Sequence, residues 1–168
     1  MLKSRYFSTG FTLMELIVTL IVVGIISAYA ASRFFDTTAF TSFGFFEESL
    51  SAVRYAQKLA IASGCDIRVT FSGGGYSLHR WVDAPNDSCR FDSPGANLTD
   101  VTRPGGGVFS SQGPDGVNVG SAQFVYDPVG VPRTTGGGLI GGETTIVIGG
   151  RTLSVAPHTG FARCTAGC

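Results

Sequence analysis

The side chains that could do chemistry in this chain are few: four cysteines, two histidines and one glutamate set in an apolar run. An even cysteine count favours two disulfides in an exported domain, and four cysteines allow three connectivities. We prefer Cys65 with Cys89 and Cys164 with Cys168, because the first pair would clamp a hairpin to the loop after it and the second would close a short loop. A zinc site using these thiols and His158 is disfavoured, since the spacing matches no zinc-binding pattern.

Catalytic residues are not predicted. Serine, histidine and aspartate occur, but in no nucleophile-elbow or metal-binding arrangement. His79, beside Arg80 and Trp81 on a predicted hairpin, is interpreted as an exposed surface residue rather than a ligand contact. The sequence therefore predicts no enzymatic activity, no metal and no cofactor.

The glutamate lies near the start of the run TGFTLMELIVTLIVVGI, residues 9–25. Glu15 is the only charged residue in the 22 residues from Phe11 to Ser32. A helix over this stretch would rise about 33 Å, enough to cross a hydrocarbon core about 30 Å thick. A carboxylate inside such a segment costs about 2.5 to 3.5 kcal/mol on insertion scales, and somewhat less near the interface. The pattern predicts a membrane helix whose carboxylate needs an explanation.

The distribution of charge gives an orientation and argues against one class of partner. Lys3 and Arg5 precede the apolar run, so the positive-inside tendency leaves the N terminus cytoplasmic and the residues after Arg33 periplasmic or extracellular. After Phe34 there are nine basic and eleven acidic residues, a net charge of about −2. This balance provides no global attraction to nucleic acid.

The elements that follow predict an α+β fold, with a long N-terminal helix before an antiparallel β-rich head. Residues 33–63 have the pattern of an amphipathic helix that ends before Gly64, and whether residues 11–63 form one helix or two joined near 36–44 is open. The predicted buried stripe is Phe43, Phe46, Leu50, Val53, Ala56 and Ala60.

Short β-type segments separated by glycine-rich turns predict antiparallel strands. We expect Ile146 and Ile148 to share a buried face with Leu153 and Val155, and residues 83–120 to be mostly loop with up to two edge strands. The predicted strands are 66–72, 76–82, 122–126, 144–148 and 152–156.

Two ordinary explanations of the apolar run leave Glu15 without a purpose. One is a secretory signal cleaved after Ala28-Tyr29-Ala30, and the other is a permanent single-span anchor. In both, a carboxylate beside the apolar segment opposes insertion and contributes nothing.

The sequence Gly10-Phe11-Thr12-Leu13-Met14-Glu15-Leu16, preceded by a short basic leader, resembles the cleavage and methylation motif of type IV pilins and type II secretion pseudopilins. The resemblance implies that a prepilin peptidase cuts after Gly10 and methylates Phe11. Glu15 would become the fifth residue of the mature chain, where it could pair with the amine of Phe11 in a neighbouring subunit, since a buried charge is tolerated when an opposite charge meets it.

The resemblance extends along the chain. Residues 50–68, the glycine-rich β region and Thr159-Gly160-Phe161 are similar to minor pilins of the GspH/FimT class, and within it to the minor subunits of mannose-sensitive haemagglutinin pili. Ser32 stands where many pilins have a helix-kinking proline. The implied parts are a leader at 1–10, a membrane and filament-core helix at 11–32, an amphipathic helix at 33–63 and a β-rich periplasmic head at 64–168.

The implied function is that of a structural minor pilin in type IV pilus assembly. Its implied partners are other major and minor pilins, the prepilin peptidase, an inner-membrane assembly platform and, before assembly, membrane lipid. A type II secretion pseudopilin is one alternative. A DNA-binding minor pilin is the other, because Gly150-Arg151 and the segment ending in Arg163 loosely match a DNA-binding motif of some FimT-type proteins. A basic stripe that joined these two arginines to Arg103 and Arg133 would favour DNA.

Overall fold

The computed structural model describes residues 10–34, 37–82, 89–91 and 97–168. The basic leader with Lys3 and Arg5, and the two loop prolines Pro85 and Pro94, lie outside these residues. The chain divides into two compact units, Met1–Thr37 and Thr38–Cys168.

The first unit contains one helix, α1, which comprises Leu13–Phe34. Its large apolar side chains between residues 13 and 29 are 43% to 78% exposed, on every side of the helix. A helix that is apolar all round needs lipid or other helices to cover it. Among the described residues, none of the helices combines the length and hydropathy that a membrane span requires.

Helix α2 comprises Thr37–Ser63, and all of it after Thr37 belongs to the second unit. Whether residues 11–63 form one helix or two stays open, because residues 35 and 36, between α1 and α2, lie outside the described residues. Gly64 ends α2 as predicted: its N–H donates to the carbonyl oxygen of Ala60 at 3.0 Å, and its φ of 68° is the left-handed conformation common after a helix.

The buried face of α2 follows the predicted stripe with one error. The predicted burial of Phe43 is wrong, because this side chain is 43% exposed. The guanidinium of Arg151 lies over its ring, 4.9 Å from the ring centroid. Phe45, two residues on, is buried in its place. The buried stripe is turned toward Phe45, which leaves Phe43 at its edge. The other predicted members, Phe46, Leu50, Val53, Ala56 and Ala60, are buried.

A larger antiparallel sheet follows α2, with strand order β3-β2-β1-β5-β6 and with β4 also paired to β2. Its two short strands β3 and β4 fall in the region that was expected to hold up to two edge strands. The strands are β1 Ile67–Ser72, β2 Gly75–Val82, β3 Asn97–Asp100, β4 Ser110–Gln112, β5 Ala122–Tyr126 and β6 Pro132–Arg133.

A smaller antiparallel sheet has the order β7-β8-β9, with β7 Thr144–Ile148, β8 Arg151–Val155 and β9 Ala162–Ala166. Strand β9 was not predicted, because Ala-Arg-Cys-Thr-Ala has little of the β-branched and aromatic character that marks a strand. Ile146 pairs with Leu153 across β7 and β8, and both are buried.

One hydrophobic cluster joins α2 to both sheets, and it includes the predicted face of Ile146, Ile148, Leu153 and Val155. The α+β class, with an N-terminal helix and antiparallel sheets, is confirmed and is consistent with a pilin-like head.

Candidate assembly site

The predicted processing and assembly residues lie at the start of α1. Gly10 and Phe11 are exposed and precede the helix. Thr12 is its N-cap residue, since its Oγ1 accepts a hydrogen bond from the backbone N–H of Glu15 at 3.3 Å. Glu15 therefore lies in the first turn, where the partial positive charge of the helix N terminus favours a carboxylate.

The Thr12 cap is a feature that the sequence interpretation missed. Thr-x-x-Glu is the spacing of a capping box, so the signal was present in the printed sequence. The capping side chain in this bond is that of Thr12, and Glu15 contributes its backbone N–H. The structure brings Gly10, Phe11 and Glu15 to one end of one helix, and their processing and pairing remain predictions.

The four cysteines form two disulfides, Cys65–Cys89 and Cys164–Cys168, which are the pairs preferred from the sequence. The first attaches the segment after β2 to the end of α2. Asp66, which is buried, reinforces this attachment: its backbone N–H donates to the carbonyl oxygen of Cys89 at 2.9 Å, and its Oδ2 accepts from the N–H of Phe91 at 2.9 Å. With every thiol in a disulfide, no cysteine is available as a metal ligand.

Gln57 of α2 holds two distant loops together. Its Nε2 donates to the carbonyl oxygens of Gly130 at 3.0 Å and Thr159 at 2.6 Å. Gly160 follows with a φ of 67°, and its carbonyl oxygen accepts from the hydroxyl of Tyr126 at 2.8 Å. A Cβ at Gly160 would overlap the carbonyl oxygen of Gly130, so only glycine fits there. This contact explains the glycine of the Thr159-Gly160-Phe161 motif in physical terms.

Three of the four arginines of the proposed basic stripe are paired with carboxylates of the same chain. Arg103 pairs with Glu48 at 3.0 Å, Arg133 with Asp127 at 2.7 Å and Arg163 with Glu143 at 2.9 Å.

Arg151, the fourth of these arginines, stacks on Phe43. Three of the four charges are thus already neutralised by carboxylates of the same chain. A phosphate backbone would have to displace those carboxylates to make comparable contacts.

His79 is half-buried rather than exposed, which corrects the sequence interpretation. Its Nε2 lies 3.3 Å from Oδ1 of Asp100 on β3. Burial, and then the neighbouring charge of Arg68, lowers the pKa of His79, and Asp100 opposes this effect. His79 therefore joins two strands as a polar contact. No group of three or more histidine, cysteine, aspartate or glutamate side chains in the described parts of the chain is arranged to hold a metal ion.

A polar cluster fixes the loop before β4 against α2. Tyr76 donates its hydroxyl proton to Oε1 of Glu48 at 2.8 Å, and Nη2 of Arg103 donates to the same oxygen at 3.0 Å. Burial, and then the hydrogen bond to Glu48, raises the pKa of Tyr76. Arg103 also lies over the ring of Phe109 at 5.1 Å, and Phe109 stacks on Tyr55 at 4.5 Å. One flank of α2 is therefore rigidly bordered by this loop.

The comparisons with known proteins give a family match for most of the second unit. The family model described as "Type II transport protein GspH" matches residues 47–158, which include most of α2, all of the larger sheet, and β7 and β8. Neither a curated protein nor a solved structure matches the chain.

Proposed function

The chain belongs to the GspH family, and from this premise we propose that it is a structural minor pilin that takes part in the initiation and assembly of a type IV pilus. The observation that carries the proposal is the exposed apolar surface of α1 in a chain whose second unit has its own closed core. A helix that is apolar on all sides has two stable environments, lipid and a bundle of similar helices.

In this proposal α1 uses both environments in turn. It first holds the protein in the bacterial inner membrane, with the head in the periplasm, and then packs among the equivalent helices of other major and minor pilins. A prepilin peptidase removes residues 1–10 and methylates Phe11, and an inner-membrane assembly platform moves the subunit from lipid into the filament. Apolar helices that stack on one another stay out of water, so one surface serves as anchor and as interface.

Glu15 supplies the specificity of that step. Cleavage after Gly10 leaves a positively charged amine on Phe11, and burying that amine in a filament core is costly unless an opposite charge meets it. The carboxylate of Glu15 on an incoming subunit supplies this charge.

A type II secretion pseudopilin is the second candidate, and the description of the matching family favours it. The same α1 and the same processing would serve a short periplasmic filament equally well. The DNA-binding alternative is disfavoured, because the carboxylates of Glu48, Asp127 and Glu143 already pair with three of the arginines that it needs.

Deletion of the gene in its own bacterium separates the two filament functions. Sheared surface pili and the secretion of type II substrates are measured in parallel, and each is restored by the wild-type gene on a plasmid. We expect fewer surface pili and unchanged secretion. Lost secretion with normal piliation would instead assign the protein to a secretion pseudopilus.

A further inference from the structure

A groove runs along one flank of α2 in the head. It consists of three adjoining hollows, of about 390, 210 and 250 Å³ in order along the helix. Tyr55 lines the first and second hollows, and Arg80 lines the second and third, so each hollow shares a lining side chain with the next. We call it the α2 groove and define it by Ala52, Tyr55, Leu59, Arg80, Val101 and Phe109.

The dimensions of the α2 groove suit an extended chain. From Ala52 to Ser63 the helix rises about 16 Å, which an extended segment of five or six residues spans. Hollows of this size hold single side chains, whereas a helix about 10 Å or more across would not enter them. Ala52, Tyr55 and Phe109 give the first hollow a mainly apolar lining, whereas the second is mixed, with Leu59 and Val101 beside the polar residues Thr99 and Thr102.

The charged side chains along the groove differ in whether they have an oppositely charged partner. At one end Glu48 and Arg103 neutralise each other. Arg80, in the middle, is exposed and has no acidic side chain of the described residues within ion-pairing distance.

Asp100, which also borders the second hollow, pairs across the strands with His79, and its carboxylate contacts that histidine. Successive strand residues point to opposite faces, so this carboxylate lies on the other face of the sheet from Arg80. Within the described parts of the chain, Arg80 is therefore a groove cation without a carboxylate partner, and the apolar first hollow lies on one side of it along the groove.

We propose that the α2 groove binds an extended peptide segment of a partner protein, with an apolar side chain in the first hollow and a carboxylate on Arg80. The first hollow adjoins the hollow that Arg80 lines, which predicts an apolar residue and an aspartate or glutamate a few positions apart on the extended segment. The disulfide Cys65–Cys89 borders the third hollow, so it also fixes the far end of the groove. The site goes beyond filament membership and holds for a pilin or a pseudopilin alike.

A random library of displayed ten-residue peptides, selected on the full chain in detergent micelles, tests this site. We expect enriched peptides to carry the apolar and acidic pair. A synthetic copy should bind Arg80→Glu about tenfold more weakly, since a close charge pair across an interface is lost. The Lys58→Glu variant is the matched control, because Lys58 is exposed on α2 but does not line the groove, and it should bind within about twofold of wild type.

A second peptide, in which lysine replaces the acidic residue, should bind Arg80→Glu better than it binds the wild type. This recovery would also show that the variant is folded. Any one of four results would overturn the proposal. The selection could enrich no peptides over empty micelles, or only peptides without an acidic residue. The two variants Arg80→Glu and Lys58→Glu could lose affinity equally, or the lysine peptide could fail to bind Arg80→Glu better than it binds the wild type.

Discussion

Thr12 accepts a hydrogen bond at Oγ1 from the backbone N–H of Glu15, at 3.3 Å, and this contact sets the first turn of α1. The spacing is that of a capping box, in which glutamate and glutamine serve equally. Glu15 therefore has two candidate roles, local stabilisation of the helix start and neutralisation of the Phe11 amine of a neighbouring subunit. The two roles require different properties of the side chain and can be separated by substitution.

The first prediction concerns Glu15 in filament assembly. Glu15→Gln keeps the side-chain shape and the backbone N–H that Thr12 accepts, and it loses the charge, so we expect it to be inserted and cleaved normally but to be nearly absent from sheared filaments. A buried amine left without its partner costs about 3 to 5 kcal/mol, which predicts at least a hundredfold loss. Glu15→Ala should fail equally, and its membrane insertion should be at least as good as that of wild type.

Thr12→Val is the matched control for this prediction. It removes the cap, which costs about 1 kcal/mol, and keeps the carboxylate, so incorporation should fall by less than about tenfold. The amount of each variant in sheared filaments, relative to its membrane pool, gives the answer. Normal incorporation of Glu15→Gln, together with loss of Thr12→Val from the filaments, would show that assembly needs the Thr12 cap and not the charge of Glu15.

The second prediction concerns Gly160 in the head. Gly160→Ala should destabilise the protein for two reasons, the positive φ, which costs about 1 to 2 kcal/mol, and overlap with Gly130, which adds about 1 to 3 kcal/mol. Gly116→Ala is the control, because Gly116 has a φ of 81° and open space around its Cβ position. Urea unfolding of the full chain in detergent, followed by the fluorescence of its one tryptophan, measures both. Equal destabilisation by the two variants would show that the close packing at Gly160 is unimportant.

The third prediction ranks the disulfides. The paired cysteines are 24 residues apart in Cys65–Cys89 and 4 apart in Cys164–Cys168. In the chain-entropy picture these loops contribute about 3.5 and about 2 kcal/mol respectively. The double variant Cys65→Ser/Cys89→Ser should therefore unfold at a lower urea concentration than Cys164→Ser/Cys168→Ser. Peptide mapping without reductant checks the pairs, and four free thiols, or Cys65 joined to Cys168, would refute them.

The fourth prediction is weak binding to DNA. With three of the four candidate arginines paired to carboxylates, the wild-type chain should bind duplex DNA no more tightly than about 10 µM at physiological salt. Arg151→Ala/Arg163→Ala should change this affinity by less than about twofold, whereas Glu143→Ala, which releases Arg163, should raise it. Submicromolar, salt-sensitive binding that disappears in the double arginine variant would contradict this and restore the DNA-uptake function.

Much of the fold was predictable because its signals are local. Strands 122–126 and 144–148 have the predicted bounds, since alternating or β-branched residues between glycine-rich turns mark their limits. The end of α2 at Gly64 was also local. Strand β9 could not be found in this way, because its pairing with β8 decides its conformation rather than its own propensity.

The candidate sites depend on contacts that no local pattern reveals. Gln57 meets Gly130 and Thr159 across 73 and 102 residues of sequence. The α2 groove likewise combines a helix with strand β2 and the segment after β3. Arg163 on β9 pairs with Glu143, which precedes β7, across the width of the smaller sheet, so the neutralisation of this arginine became visible only in three dimensions.

The mature N terminus tests the central claim most directly. Intact-mass and peptide mass spectrometry of the protein purified from its own bacterium should find a chain that begins at Phe11 and carries one methyl group on its amine. Gly10 replaced by a bulky residue, Gly10→Leu, should leave the precursor uncut, and Ser8→Leu in the leader serves as the control that is still processed. A mature protein that begins at Ala31 would show an ordinary secretory signal and would contradict the pilin account.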